Sequence, residues 1–421
     1  MGTHSHNHTY NFTEQFEFSG KAKTWTLIAI LIGVAAVAYG FLTGQGERTF
    51  ANLLLVAYYV TCVCAAGTFF LALQFVAQAG WSAGLLRIPQ AFAKVLPYAS
   101  LILIIICAAG LFTTHTIIEE GKEITVPYLY KHWAAHGLSE QGSEHYDALI
   151  AGKSGFLNVP FFLTRLVIFL GLYSIFSMML TRYSNNEDAV GGLKNYNKSF
   201  KWSAVFLVIF GFTTPIWAFD TIMSLEAHWF STMFGWYNFA AMWVNGLAAI
   251  TLTVILLKKS GYLSWINQNH LHDLGKFIFA FSIFWTYVWF AQFLLIYYAN
   301  IPEETVYFYK RWEPEYLPWF WVNIIINFVS PVLILMARDS KRKLNVMMFV
   351  CILLLCGHWL DYYMMIMPGT VAENRGFGLI EIGSFIGFAG LFSFLMLNQL
   401  SKKSLVPVNH PFLQESLNHQ I

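Results

Sequence analysis

The sequence predicts an all-α integral membrane protein of about ten transmembrane helices, built as two related halves. Three observations lead there. Of 421 residues, 57% are hydrophobic and only 11% charged, with a mean hydropathy of +0.53, so the chain has too little polar surface to cover itself in water. Apolar stretches long enough to cross a hydrocarbon core of about 30 Å as helices recur along its whole length. Finally, Glu123-Ile124-Thr125-Val126-Pro127-Tyr128-Leu129-Tyr130-Lys131-His132-Trp133 returns, one residue shorter, as Glu303-Glu304-Thr305-Val306-Tyr307-Phe308-Tyr309-Lys310-Arg311-Trp312. Each copy leads into an apolar span that opens on proline, Pro160 to Arg165 in one and Pro318 to Asn323 in the other. Internal duplication is the economical reading, and Arg165 opposite Asn323 is the first difference to weigh.

The spans fall near 23–43, 50–80, 89–115, 157–181, 202–224, 229–257, 276–299, 318–337, 344–367 and 377–400. They divide the chain into a tail (1–22), a first helix (23–48), a first half (49–224) holding a long loop at 116–156, a second half (225–367), a tenth helix (368–400) and a second tail (401–421). Pro215 and Pro331 lie within spans and should kink helices 5 and 8. Gly383 and Gly387, a GxxxG pair in helix 10, read as a close helix contact.

Lys and Arg are held on the cytoplasmic side of membrane proteins. Seventeen of the 25 fall in the tails and even-numbered loops. Seven fall in the opposite loops (Arg48, Lys122, Lys131, Lys153, Lys310, Arg311, Arg375), and Arg165 is inside a helix. This bias predicts that both termini are cytoplasmic. A net charge of +2 gives no reason to expect nucleic acid. Met1 to Gly20 is polar, unlike a cleavable signal peptide, and its His4, His6 and His8 read as a chance cluster in a terminal tail. All five cysteines fall within spans, without CxxC or CxxCH spacing, which argues against disulfides, iron-sulfur ligation and covalent haem.

The 116–156 loop is acidic, with Glu119, Glu120, Glu123, Glu140, Glu144 and Asp147. Its aromatic residues and those of 300–317 suit an interfacial belt or a docking surface for a peripheral partner. A charge inside a membrane costs several kcal/mol unless paired or wet, so ionisable residues in spans mark the chemistry. His115 ends helix 3, Arg165 lies two turns into helix 4, Asp220 and Glu226 close helix 5, His358 and Asp361 come late in helix 9 and Glu381 opens helix 10. With His228, these eight are the proton-transfer or quinone-facing candidates, all on one side of the bilayer. His358 and Asp361, three apart, share a helix face. Asp220 and Asp361 each follow a tryptophan closely and occupy similar places in the two halves; a structural salt bridge with Arg165 and a proton-handling or quinone-facing role both fit them. Toward the cytoplasm, Asn245, Asp273, Lys276, Asn327 and Ser330 are path candidates, though such residues commonly bridge neighbouring helices. Only His115 and His358 could ligate a b-type haem, a weak signal, and no metal-ligand spacing occurs.

The runs Phe219-Asp220-Thr221-Ile222-Met223-Ser224-Leu225-Glu226-Ala227-His228-Trp229 and Ile301-Pro302-Glu303-Glu304-Thr305, with Trp285-Thr286-Tyr287, resemble the polysulfide-reductase-like membrane-subunit family. Within it the chain is similar, over essentially all ten helices, to the second large membrane subunit of the bacterial quinol:cytochrome c oxidoreductase called alternative complex III. The resemblance implies two four-helix bundles, helices 2–5 and 6–9, flanked by helices 1 and 10, in the bacterial inner membrane. It also implies a subunit of an electron-transport complex that carries no redox cofactor and has no autonomous catalysis. Its partners would be a homologous quinol-oxidising membrane subunit, a periplasmic iron-sulfur subunit, multihaem and monohaem c-type cytochromes, and a terminal oxidase as acceptor. Menaquinone or another quinone and lipids are the implied non-covalent ligands, and proton translocation is an implied activity. The family's quinol site uses a His and an Asp, which carries to His115 and Asp220. A secondary transporter and a purely structural membrane anchor are the alternatives.

Overall fold

Among the described residues, ten helices are long and apolar enough to cross a membrane. The computed structural model describes residues 10–119, 122–143, 145–371 and 376–420; His4, His6, His8, Glu120, Glu144 and Arg375 lie outside them. The helices are α1 (Gly20–Leu42), α2 (Gly46–Val76), α3 (Arg87–Phe112), α4 (Val159–Val190), α5 (Leu193–Thr221), α6 (Met233–Lys259), α7 (Gln268–Ala299), α8 (Leu317–Leu335), α9 (Leu344–Thr370) and α10 (Leu379–Leu400). The protein is therefore a multi-pass, all-α membrane protein. Local chemistry sets several boundaries. Asn158 accepts from the Phe161 amide to start α4, with Pro160 in its first turn. Asn267 and His270 form a reciprocal cap that starts α7 eight residues before the apolar run expected from 276. Both are side-chain answers to unpaired amides at a helix start.

The long loop is not featureless. Thr114–Glu119 (β1) and Lys122–Pro127 (β2) pair antiparallel, with His115 opposite Val126. This corrects the placement of His115 at the end of helix 3: the helix stops at Phe112, and the following β-branched and apolar run Thr114-His115-Thr116-Ile117-Ile118 extends instead, as such residues readily do. Glu226 is likewise beyond α5, in a tight turn over Met223–Glu226.

Helices α2, α3, α4 and α5 pack in a closed ring, and α6, α7, α8 and α9 form the second bundle. The bundles meet along α2 and α6, which are buried over most of their length, with α5 and α9 completing the seam. A small residue permits this approach: a Cβ on Gly246 of α6 would fall 2.1 Å from the Cβ of Ala66 on α2. Outside the bundles, α1 crosses α10, and α10 lies against α2 and α3. The first and last segments share one face. Leu405 donates to the Glu14 carbonyl, and Ser416 accepts from the Gly84 amide and lies 3.1 Å from the His270 imidazole, so the C-terminal segment ties the loop after α2 to the first turn of α7. We call this the terminal face, and the opposite one, carrying the hairpin, the loop face.

The α1–α10 crossing is close as well. A Cβ on Gly33 would lie 2.5 Å from the Gly387 Cα, and one on Gly383 would lie 2.4 Å from the Ala36 Cβ. Replacing Gly387 by Val should cost about 1–3 kcal/mol through overpacking and loosen α1 before the bundles. Thermal unfolding with hydrogen exchange of α1 checks this; unchanged exchange in α1 would show that the crossing does not hold it.

Candidate functional site

The two halves solve the same electrostatic problem differently. In the first bundle, Asp220 on α5 is buried, and Arg165 on α4 grips it with two bonds, Nε to Oδ2 at 2.7 Å and a terminal nitrogen to Oδ1 at 2.8 Å. Both terminal nitrogens also donate to the Phe156 carbonyl, each at 3.1 Å, and the guanidinium packs on the rings of Phe156 and Phe161 at 3.8 and 4.1 Å. This is a buried, charge-neutral pair in the bidentate geometry in which Arg is strongest.

In the second bundle, Asp361 on α9 occupies the corresponding place, and the residue reaching it from α8 is Asn323, 2.9 Å from Oδ1. An amide brings a hydrogen bond but no charge. Two further neutral donors complete the shell: the Tyr237 hydroxyl from α6 and the Trp285 indole from α7 at 2.9 Å. Asp361 and His358 are both wholly inaccessible, and the His358 Nδ1 stands 3.6 Å from the Asp361 carboxylate, with neither ring nitrogen hydrogen-bonded. Asn327 donates to Asn323 at 2.6 Å, extending the polar chain one turn along α8. Here α8 widens into a π-helical segment, Ile325–Val329, a local form frequent at functional sites. Gly357 on α9 gives Asn327 its room: a Cβ there would sit 2.3 Å from the Asn327 amide oxygen. Beside this shell lies a cavity of about 20 Å³, walled by Tyr237, Gln292, Arg311 and Asn323 among others, enough for one water.

Three other carboxylates toward the loop face have cations. Glu381 is held by Arg48 at 2.6 and 2.7 Å, by Asn52 at 3.0 Å and by the Gly378 amide at 2.8 Å, so it staples the start of α10 to α2. Glu226 pairs with Arg311 at 2.8 Å and Lys310 at 3.4 Å, while Arg311 also donates to the carbonyls of Tyr307, Met364 and Met365. Glu47 pairs with Lys131 at 2.7 Å. Of Glu47, Asp220, Glu226, Asp361 and Glu381, Asp361 alone lacks an Arg or Lys partner.

Other candidates fall outside this cluster. His115 stacks on Tyr128, ring centres 4.4 Å apart, and burial pushes its imidazole below its ordinary pKa; its charged neighbours are Glu47 and Lys131, not Asp220. His228 is half exposed and pairs with Asp147 at 2.5 Å. The surroundings of His115 and His358 have no residue in common, and among the described residues no three His, Cys, Asp or Glu come together in a way that could hold a metal ion. At the terminal face, Asp273 pairs with Lys276 at 2.5 Å and with His419 at 2.6 Å, anchoring the C-terminal segment. Asn245 is buried on α6 with its amide unpartnered, and Ser330 returns its hydroxyl to the Ile325 carbonyl at 2.9 Å. Asn327 is therefore the one candidate from the path toward the terminal face that joins the Asp361 cluster.

No protein-family model matches the chain, and no curated protein matches it in sequence. The duplication is instead legible in the chain itself. Tyr58 lies eleven residues after Glu47, and Tyr237 eleven after Glu226; each glutamate takes its cation from the matched loop, Lys131 or Lys310 and Arg311. Tyr237, Trp285 and Arg311 join the site without having been among its candidates, and for Tyr237 this spacing is a signal present in the sequence.

Arg165→Leu should strand a buried aspartate and cost about 3–5 kcal/mol, with much of the loss recovered when Asp220→Asn is added. Thermal and denaturant unfolding of the single and double variants checks this; equal losses in both would contradict the pairing. A second expectation concerns the loop face. Burial, with Lys131 and Lys310 nearby, lowers His132 from 6.5 to about 4. The folded protein thus binds fewer protons than the unfolded chain between these values, and stability falls as pH drops through that window. The melting temperature of wild type should fall more from pH 6.5 to about 4 than that of His132→Asn; parallel curves would contradict it.

Proposed function

We propose that this chain is a membrane subunit of a respiratory quinol:cytochrome c oxidoreductase, carrying no redox cofactor itself, and that its second bundle handles protons through His358 and Asp361. Quinol oxidation, in this reading, takes place in a homologous neighbouring subunit, and electrons leave through iron-sulfur and c-type haem proteins on the loop face, which is then periplasmic. An oxidised quinol must shed two protons while its electrons leave singly. Groups that can take up a proton and pass it on near that face are what such a complex requires.

The observation that carries the proposal is the replacement of an arginine by Asn323 opposite Asp361. In the first bundle the charge of Asp220 is cancelled permanently by Arg165. In the second, only a proton can cancel the charge of Asp361, and the adjacent His358 gives that proton a second seat 3.6 Å away. Tyr237 and Asn323 connect the couple to the small cavity beside Arg311 and to Asn327. The longer matched loops that carry Lys131 and Lys310 support a docked partner above. Asp220, Glu226 and Glu381 serve in this account as fixed charges that hold the bundles, and His115 as a hairpin residue.

Two experiments test it. Purification from native membranes should bring down c-type haem and iron-sulfur proteins, identified by mass spectrometry; a chain that purifies without companions and supports substrate flux on its own would be a transporter. In the reconstituted complex, Asp361→Asn and Asn323→Arg should each lower the protons moved per electron while quinol turnover persists, whereas Arg165→Lys should leave that ratio intact. An unchanged ratio in both second-bundle variants would reduce the chain to an anchor.

A further inference from the structure

A second, much roomier cavity than the one beside Asn323 lies away from the Asp361 cluster, in the leaflet toward the terminal face. It holds about 470 Å³ and opens between the two bundles and α10. Val56 and Val60 of α2, Leu252 and Leu256 of α6, and Phe385 and Phe392 of α10 form its walls. Its inner end is at Tyr59 and Leu355, and its outer end at Phe16, Ala22 and Ser260. Along α10 the wall runs from Phe385 to Leu397, about 18 Å at a rise of 1.5 Å per residue. That span is close to the depth of one leaflet, about half of a 30 Å hydrocarbon core.

The chemistry of the wall narrows the occupant. Of its four hydroxyl groups, three are already committed: Tyr59 donates to the Leu355 carbonyl at 2.9 Å, Thr253 to the Ala249 carbonyl at 2.8 Å and Ser260 to the Leu256 carbonyl at 2.9 Å. Little remains for water, which needs two to four polar partners to be held, or for a ring bearing carbonyls. A hydrocarbon chain needs none. The polar anchor appears only at the outer end, where exposed Lys21 and Lys23 flank Ala22 and Lys259 precedes Ser260. Lys258 is engaged with the Ile266 carbonyl at 2.6 Å and Lys259 makes only a weak contact to the Met348 sulfur at 3.6 Å, so Lys21, Lys23 and Lys259 keep donors for a phosphate at the interface.

We infer that this cavity is a binding site for one acyl chain of a membrane phospholipid, seated from the terminal face with its phosphate beside Lys21, Lys23 and Lys259. The site joins α2, α6 and α10, so the bound chain becomes part of the seam between the bundles. Its walls come from both halves, which neither half could supply alone.

Ala389 projects into the cavity from α10 and is itself exposed there, so a larger side chain can grow into the space. Lipid extraction and mass spectrometry of the purified full chain, after extensive detergent exchange, should find phospholipid retained in wild type. Retention should fall about tenfold or more in Ala389→Trp, because hydrocarbon binding scales with the CH₂ groups that can be buried, and it should persist in Ala389→Ser. Equal retention in the Trp variant, an isoprenoid quinone as the retained molecule, or no retained lipid would each overturn the inference. A test on wild type alone guards against a variant that fails to fold. A phospholipid with a photoreactive group at its acyl terminus should label peptides containing Tyr59 or Leu355, and one with the group near its phosphate should label the Ser260 peptide. Labels confined to the outer surfaces of α3, α4 and α7 would overturn it.

Discussion

The organisation of this protein follows from the difficulty of holding a carboxylate where water is scarce. An uncompensated charge in a low-dielectric interior costs several kcal/mol, and a buried pair is tolerable only when its geometry is complete. Arg165 and Asp220 meet that demand with two bonds to the carboxylate, two to a backbone carbonyl and two aromatic rings around the guanidinium. Glu226 and Glu381 meet it with Arg311 and Arg48. Asp361 does not: three neutral donors surround it, and the basic side chain beside it is a histidine, not an arginine or lysine. The second half holds its acid without the permanent counter-charge that the first half has.

In the proposed reading, that asymmetry joins fold to function. Both aspartates lie in the last helix of their bundle, and α5 and α9 flank the seam formed by α2 and α6. The seam is packed by small residues such as Gly246 against Ala66, which lets the two backbones approach closely. The π-helical turn of α8 and Gly357 of α9 place Asn327 against Asn323. A polar chain therefore begins at Asp361 and runs one turn deeper. The cavity toward the terminal face is mainly apolar and keeps three of its four hydroxyls tied to backbone, so the two regions are chemically separate although they share α6 and α9.

Much of this was legible in the chain. Hydropathy gave ten spans because each membrane helix must satisfy its own backbone and present apolar side chains to lipid. The repeated loop gave the two halves, and the contrast of Arg165 with Asn323 stood in the sequence as the position where they differ. The partner of Glu226 was not legible, because Lys310 and Arg311 are adjacent and only the turn of the loop decides which is buried. His115 was misplaced because an apolar run continues past Phe112 and its periodicity does not mark where helix gives way to strand. Tyr237 and Trp285 were not among the candidate site residues, although Trp285 stands in a run that carries the family resemblance; their place beside Asp361 depends on helices converging on one carboxylate, which no local pattern records.

The central claim is that a proton balances Asp361 where an arginine balances Asp220. Infrared difference spectroscopy of the purified protein during a pH change, with wild type compared against Asp361→Asn and Asp220→Asn, tests it most directly. The account predicts a protonated-carboxyl band that vanishes in Asp361→Asn, is retained in Asp220→Asn and changes together with an imidazole band from His358. A spectrum in which Asp361 contributes no protonated carboxyl at any pH, with His358 silent, would contradict it.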